Sequence, residues 1–149
     1  NRRQCLWNLK KIGYQVGAGF MVGLPGQTAE DYIEDLHFLQ ELQPHMVGIG
    51  PFIPHQDTPC AKEKKGTLEM TVTLLAMTRL LLPQVLLPAT TALGTIDPLG
   101  REEGLKAGAN MPFMMARSAR ERKRQNAGSV LKEGSSGPAF SRICPGGTT

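Results

Sequence analysis

Three stretches of the sequence place turn residues or hydroxyls at the end of an apolar run, and chemistry is expected there. They cover residues 24–28, 50–55 and 88–91. A proline inside a strand gives up a backbone hydrogen bond, so Pro51 and Pro88 indicate a backbone shaped around a ligand. Thr90 and Thr91, as neighbours in a strand, point to opposite faces, which leaves one hydroxyl for a small polar ligand. Both threonines fit equally well as β-branched strand residues.

Candidate metal ligands and acid–base residues are few. The histidines lack both paired acids and ligand spacing, so we interpret them as structural or solvent-facing, with His55 the least certain of them. Three cysteines, Cys5, Cys60 and Cys144, show no CxxC or CxxxCxxC spacing. This spacing disfavours a disulfide framework and a complete metal site, and a reducing cytoplasm is the expected location.

The elements that position these stretches are predicted to alternate between helices and strands. Helices are expected over residues 2–11, 29–42, 68–82 and 101–107, and strands over 18–24, 46–53, 86–93 and 110–115. The first strand is short and uncharged, which is typical of a parallel strand buried on both faces. Pro25 and Gly26 then turn the chain, and Thr28 is the expected N-cap of the next helix.

This order predicts an α/β fold of about four parallel βα units, with the strand-end loops on one side. Such units make half of a (β/α)8 TIM-type barrel, whose chemistry lies at the carboxyl ends of the strands. We therefore expect residues 1–116 to form half of a barrel. No apolar run reaches the roughly 18 residues of a membrane span, so no membrane partner is expected.

The charge is distributed unevenly along the chain. The whole chain carries +4, whereas residues 117–149 alone hold seven Lys or Arg against two Glu. Residues 1–116 are therefore close to neutral, which argues against nucleic-acid binding by this part. Residues 117–149 are rich in Gly, Ser and basic residues and are predicted to be a disordered or aberrant tail.

The sequence resembles the second half of the HydE family, the radical S-adenosylmethionine (SAM) maturases of [FeFe]-hydrogenase. Three long motifs carry the resemblance: MVGLPGQT at 21–28, MVGIGPFIPH at 46–55 followed by DTP at 57–59, and LPATTALGT at 87–95 followed by GREE at 100–103. It covers about residues 1–112. Biotin synthase and methylornithine synthase share the looser Gly-Leu-Pro-Gly turn.

The resemblance implies a fragment of a SAM-cleaving enzyme for maturation of the hydrogenase H-cluster. The family folds as a complete (β/α)8 barrel and cleaves SAM at a [4Fe–4S] cluster held by a CxxxCxxC loop, which this chain lacks. The implied cofactor-binding residues are Met46, Pro51, Ile53, Pro88 and Ala89, and the implied substrate-binding residues are Thr90 and Thr91. The implied partners are a small-molecule or organometallic substrate and the other hydrogenase maturases.

The last predicted strand departs from the family pattern, because Asn110 is followed at once by Met111 and Pro112. The chain alone is expected to be inactive, since no cluster loop is present. Two alternatives remain open at this point. One is a biotin synthase-like or methylornithine synthase-like radical SAM enzyme, and the other is a non-catalytic half-barrel with a nucleic-acid-binding tail.

Overall fold

The computed structural model describes residues 2–112, in which helices and strands alternate as predicted except for an additional short helix after the third strand. In chain order the elements are α1 (Arg2–Lys11), β1 (Gly17–Val22), α2 (Ala29–Leu42), β2 (Met46–Pro51), α3 (Leu68–Leu81), β3 (Pro88–Ala89), α4 (Thr91–Ile96), α5 (Gly100–Lys106) and β4 (Met111–Pro112). All four predicted helices are confirmed to within a residue at their ends.

Every strand pairing in this described part is parallel. Strands β1 and β2 pair from Gly17 opposite Met46 through to Val22 opposite Pro51. Strand β3 pairs with β4, and a parallel bridge between Met46 and Leu86 joins the two pairs. The spatial order is therefore β1, β2, β3, β4, which confirms the α/β class with a parallel sheet.

Helix α2 begins as its sequence predicts. The Thr28 hydroxyl accepts the Asp31 N–H at 3.4 Å, and the Asp31 carboxylate accepts the Thr28 N–H at 2.7 Å. This reciprocal capping box satisfies two backbone donors that the first turn leaves unpaired. It fixes the point at which the chain leaves the β1 turn and starts back along the sheet.

Helices cover one face of the sheet. Helix α2 packs on β1, α3 on β2 and α5 on β3, while the short helix α4 contacts the end of β2 near Gly50. The core between these layers is made of buried aliphatic side chains: Val22, Leu36, Leu39, Val47, Ile49, Leu74, Leu75, Leu82, Val85, Leu87 and Leu93. Ile33 has the helical spacing of a core residue, yet it is 52% exposed.

The prediction that β1 is buried on both faces is wrong. Its residues alternate between a face packed on the core, formed by Ala18, Phe20 and Val22, and an exposed face, formed by Gly17, Gly19 and Met21. No element within residues 2–112 covers that second face of β1. We call the face of the sheet that carries Gly17, Gly19 and Met21 the open face.

The prediction of a strand over residues 86–93 is also wrong in its second half. Strand β3 holds only Pro88 and Ala89, and α4 starts at Thr91. A helix is favoured over a strand here because it places Leu93 in the core, where this side chain is 0% exposed. Thr90 and Thr91 are therefore not consecutive strand residues, and the expectation that their side chains alternate between faces does not hold.

The fourth predicted strand begins as expected. Met111 and Pro112 form β4, and the rest of the predicted strand lies outside the described residues. The predicted tail over residues 117–149, and with it the domain boundary near residue 116, lies outside them as well. None of the helices in residues 2–112 is long and apolar enough to cross a membrane.

Candidate functional site

The carboxyl ends of β1, β2 and β3 lie side by side. The Phe52 N–H, just beyond β2, donates to the Val22 carbonyl at the end of β1, at 2.8 Å. A Cβ atom built on Gly50 would lie 2.9 Å from the Thr90 Oγ1 atom, just beyond β3. The three sequence motifs therefore meet at one end of the sheet, as predicted.

The turn after β1 is held by the side chain of Gln27. Its Oε1 atom accepts the N–H groups of Gly23 and Leu24, both at 3.0 Å, and its Nε2 atom donates to the Met21 carbonyl at 3.1 Å. The Tyr32 hydroxyl also contacts the Gly23 nitrogen, at 2.9 Å. One amide group thus satisfies three backbone groups at the carboxyl end of β1.

A second connection closes over the ends of β1 and β2. The Gly66 N–H donates to the Phe52 carbonyl at 2.8 Å. A Cβ atom on Gly66 would lie only 2.1 Å from the Val22 carbonyl oxygen, so a side chain does not fit there. This close backbone approach ties the residues that precede α3 to the two strand ends.

Thr90 carries the clearest signal for a ligand. Its hydroxyl oxygen is buried and has no hydrogen-bond partner within the described part of the chain. Thr90 is the N-cap residue of α4, but its side chain makes no capping hydrogen bond. A buried hydroxyl without a partner costs free energy, and a polar ligand group on the open face would remove that cost.

The predicted site residues divide between the two faces of the sheet. Alternation along β2 and β3 puts Met46 and Pro88 on the open face, where Met46 is exposed and Pro88 is buried, and Thr90 lies beside Gly50 of that face. Pro51 follows Val47 and Ile49 on the helix-packed face and is buried. Ala89 is also buried there, and a Cβ atom on Gly104 of α5 would lie 3.6 Å from its Cβ atom.

The other predicted residues are spread along the strands. Met46 is 37% exposed but lies at the amino end of β2, one strand length from Thr90. Ile53 is 39% exposed in the loop just after β2. Thr91 belongs to α4, where its carbonyl accepts the Thr95 hydroxyl at 3.0 Å. Among the predicted residues, Thr90 and Pro51 therefore lie closest to the meeting point of the strand ends, since Pro51 pairs with Val22 at the end of β2.

The structure brings no metal-binding cluster together. Among residues 2–112, no group of three or more His, Cys, Asp or Glu side chains is placed to hold a metal ion. His45 accepts the Val16 N–H through Nδ1, and His55 accepts the Asp57 N–H, both structural roles within loops. Cys5 is free and exposed. Cys60 is buried.

Sequence reasoning missed two residues that shape the site. The sequence predicts only a turn around Gln27, although a side-chain amide five residues after a strand end is able to pair with backbone groups at that end. Gly50 belongs to the stretch 50–55 where chemistry is expected, but the sequence does not predict that its missing side chain lets the Thr90 hydroxyl approach β2. The signal for Gly50 was a glycine next to a proline at a strand end.

Comparison with known proteins places this geometry in a family. The chain is 60% identical over 111 residues to "[FeFe] hydrogenase maturase subunit HydE" of Thermotoga maritima, a match that covers 74% of this chain. It is 32% identical over 102 residues to 3-methylornithine synthase of Methanosarcina acetivorans, and 36% identical over 73 residues to biotin synthase of Streptomyces avermitilis. No family model matches the chain.

These matches span only a part of each relative. They cover 32% of the HydE chain, 28% of the 3-methylornithine synthase and 19% of the biotin synthase. In this chain they cover 74%, 68% and 49% of the residues, respectively.

Proposed function

Because the chain belongs to the HydE family, we propose that it is part of a radical SAM maturase for [FeFe]-hydrogenase and lines its SAM and substrate cavity. The observation that carries this proposal is the 60% identity to HydE of Thermotoga maritima over 111 residues. The relatives named as biotin synthase and 3-methylornithine synthase match at 36% and 32% identity. The lower identities favour HydE chemistry over these alternatives.

The proposed setting is one wall of a (β/α)8 barrel. Parallel strands, helices on a single face and an exposed second face are what such a wall requires. In this setting the open face would line the interior of the barrel. The meeting strand ends would then lie at the carboxyl-terminal side, where barrel enzymes carry their chemistry.

The residues of this chain fit a SAM or substrate subsite but not the iron–sulfur cluster. A [4Fe–4S] cluster needs several cysteine thiolates, and residues 2–112 contain no cluster of metal-binding side chains. The buried, unpartnered hydroxyl of Thr90 is suited instead to a polar atom of a bound small molecule. When bound, SAM would supply the radical chemistry, and the cluster would be held by other residues than these.

The role of this chain in such a reaction is to bind, orient and exclude water. Thr90 would donate or accept one hydrogen bond, which fixes the ligand against β2 and β3. Met46 would supply apolar surface on the open face, and Ile53 apolar surface at its rim, which protects a reactive species from water. Pro51, Pro88 and Ala89 are buried, and their side chains would support the backbone that faces the ligand.

A hybrid enzyme tests this proposal. The segment of Thermotoga maritima HydE that matches this chain is replaced by residues 2–112, and hydrogenase maturation is measured at equal concentration of folded, cluster-loaded protein. We expect maturation within about tenfold of the parent. The proposal is wrong if the hybrid holds its cluster and cleaves SAM normally yet matures no hydrogenase.

Two substitutions in the same hybrid test the site. Thr90→Val keeps the shape of the side chain and removes its hydroxyl, and loss of one hydrogen bond of about 1 kcal/mol predicts a roughly fivefold loss of maturation. Thr91→Val is the matched control on the adjacent helix residue. An unchanged maturation rate for Thr90→Val would show that the hydroxyl does not contact the ligand. The family assignment would not be affected.

A further inference from the structure

An apolar groove lies between helices α2 and α3. Its cavity of ≈ 190 Å³ is lined by Ile33, Leu36, His37, Gln40, Met77 and Leu81. Ile33, Met77 and Leu81 are 52%, 42% and 38% exposed, although each is a large hydrophobic side chain. We call this feature the α2–α3 groove. Because the two helices pack on the neighbouring strands β1 and β2, they are already neighbours in the helix layer, and further barrel units would not fill the groove.

The acidic residues beside the groove carry no balancing charge. Glu30 precedes Ile33 by three residues and Glu41 follows His37 by four, so both lie on the groove side of α2. Glu69 lies two steps of four residues before Met77 on α3. All three glutamates are exposed, and none of them makes an ion pair within residues 2–112. We call these three residues the acidic rim.

Basic residues do not offset the acidic rim. Helix α2 contains no Lys or Arg. Arg79 is the only one in α3, and its guanidinium donates to the carbonyls of Gly108, Pro83 and Val85 instead. An occupant with apolar and basic side chains therefore complements the groove. A second copy of the same surface does not, because a two-fold contact through the groove would bring two acidic rims together.

One stretch of the same chain has the complementary chemistry. Residues 117–124 hold five Lys or Arg against one Glu, and Val130, Leu131 and Lys132 follow them. The sequence predicts that this stretch has too few apolar side chains to form a core of its own. An ordered position for it would therefore depend on another surface of the protein.

The chain leaves the sheet at a suitable place. Strand β4 ends at Pro112, and parallel pairing puts its carboxyl end beside the turns from which α2 and α3 start. The groove is two or three strand spacings of about 4.8 Å from β4 and one helix layer of about 10 Å from the sheet. About eight extended residues, at roughly 3.3 Å each, cover such a path. The basic residues would then arrive at the first turns of the helices, and Val130 and Leu131 further along the groove.

We infer that residues 117–132 bind the α2–α3 groove, with their basic side chains against the acidic rim and with Val130 and Leu131 in the cavity. The occupant is the same molecule's own segment. The inference goes beyond the proposed function and does not depend on it, since the groove lies between helices and not on the open face.

Carbodiimide cross-linking of the full chain tests the position. The reagent joins a lysine amine to a nearby carboxylate as an amide, and mass spectrometry identifies the joined peptides. Lys123 and Lys132 should be joined to the acidic rim more often than to all other carboxylates of residues 2–112 together. An equal mixture of ¹⁵N-labelled and unlabelled chain should give these products without mixed labels, because the contact lies within one molecule.

Trypsin cleavage within residues 117–124 gives an independent measure. At about 20 mM NaCl, cleavage in the full chain should be at least fivefold slower than in a free peptide of residues 113–132. At about 500 mM NaCl the two rates should agree within roughly twofold, because salt screens exposed charges. The free peptide corrects for any effect of salt on trypsin itself.

Three full-chain variants locate the contact. Met77→Ser removes an apolar wall of the groove, and Leu105→Ser is the matched control, since Leu105 is 39% exposed on α5. Glu41→Lys reverses one charge of the acidic rim at the end of α2, where the helix dipole favours a cation, so folding is not weakened. We expect Met77→Ser and Glu41→Lys to raise the cleavage rate at least threefold and Leu105→Ser to leave it unchanged. Circular dichroism checks that each variant folds.

Each contrary result has its own meaning. The inference is wrong if trypsin cleaves the parent chain as fast as the free peptide at low salt. Equal effects of Met77→Ser and Leu105→Ser would place the segment elsewhere on the surface. Cross-links with mixed labels would show that the groove takes the segment of a second copy, which contradicts the contact within one molecule. None of these results bears on the hybrid enzyme that tests the proposed function.

Discussion

The two faces of the sheet differ in how complete they are. On the helix-packed face, Val22, Val47, Ile49 and Leu87 are all 0% exposed. On the open face, Met21 and Met46 are each 37% exposed, Leu86 is 48% exposed, and the remaining positions of β1 and β2 are glycines. On one face of these strands the side chains are therefore buried in a hydrophobic core. On the other face the positions are glycines or partly exposed side chains.

This contrast separates residues that hold the fold from residues available for function. Burial of apolar area stabilises the helix-packed face, because each aliphatic side chain there contributes about 1.5–3 kcal/mol. The open face contributes little to folding in this chain, since its side chains are small or exposed. Substitutions on the two faces should therefore differ in kind, and the predictions below use that difference.

The largest expected effect is on the helix-packed face of β2. Ile49→Ala removes a fully buried side chain and should lower the free energy of unfolding by about 2–4 kcal/mol. Met46 lies on the open face of the same strand, and Met46→Ala should change the free energy of unfolding by less than about 1 kcal/mol. Urea unfolding followed by circular dichroism measures both. Equal losses for the two variants would mean that the open face is packed in solution.

Glycines give the next comparison. Gly66→Ala would push a Cβ atom into the Val22 carbonyl, where only 2.1 Å is available, and should cost about 1–3 kcal/mol of stability. Gly48→Ala on the open face meets nothing within 4 Å and should be neutral or slightly stabilising. Thermal unfolding of the two variants provides the test. A destabilised Gly48→Ala variant would show that another group lies against that face.

Thr90 should behave unlike the buried threonines of the core. In the chain without ligand, Thr90→Val removes a buried hydroxyl that has no partner, and should raise stability by about 1 kcal/mol. Thr78 is the matched control, because its hydroxyl donates to the Leu74 carbonyl at 2.8 Å, so Thr78→Val should lower stability by about 1 kcal/mol. Equal destabilisation of both variants would indicate that the Thr90 hydroxyl is paired in solution.

Much of the fold was predictable because its signals are local. Helix α2 follows from the capping box of Thr28 and Asp31 and from leucines at helical spacing. The order of helices and strands predicted parallel pairing, and with it the meeting of the three motifs at one end of the sheet. These predictions depend on residues that are close in the sequence and not on contacts between residues that are distant in it.

The rest depends on long-range contacts that no local pattern reports. Adjacent threonines favour a strand, but Leu93 reaches the core only if α4 starts at Thr91. Burial of β1 on both faces would need a second layer, and apolar sequence does not tell whether one is present. The placement of Ala89 on the helix-packed face likewise follows from α5, which lies beyond it in the chain.

The smallest expected effect on stability concerns the carboxyl group of Asp35 on helix α2. Partial burial raises the pKa of its carboxyl group above the ordinary value, and the neighbouring Glu34 and Asp31 carboxylates add to this, while Arg3 at 3.8 Å opposes it. The folded state therefore holds the Asp35 proton more tightly than the unfolded state does. Ionisation of Asp35 costs stability, and this cost grows as the pH rises through the raised pKa.

We therefore expect Asp35→Asn to be more stable than the parent at pH 7, by less than about 1 kcal/mol, because it removes a carboxylate that burial disfavours. The advantage should shrink as the pH falls below the ordinary carboxyl range, where Asp35 is protonated in both the folded and unfolded states. Urea unfolding at several pH values measures this difference. Glu34→Gln is the control, since Glu34 is 65% exposed and makes a 2.7 Å ion pair with Arg3. An Asp35→Asn variant that loses stability at pH 7 would show that the Arg3 interaction outweighs burial at this position.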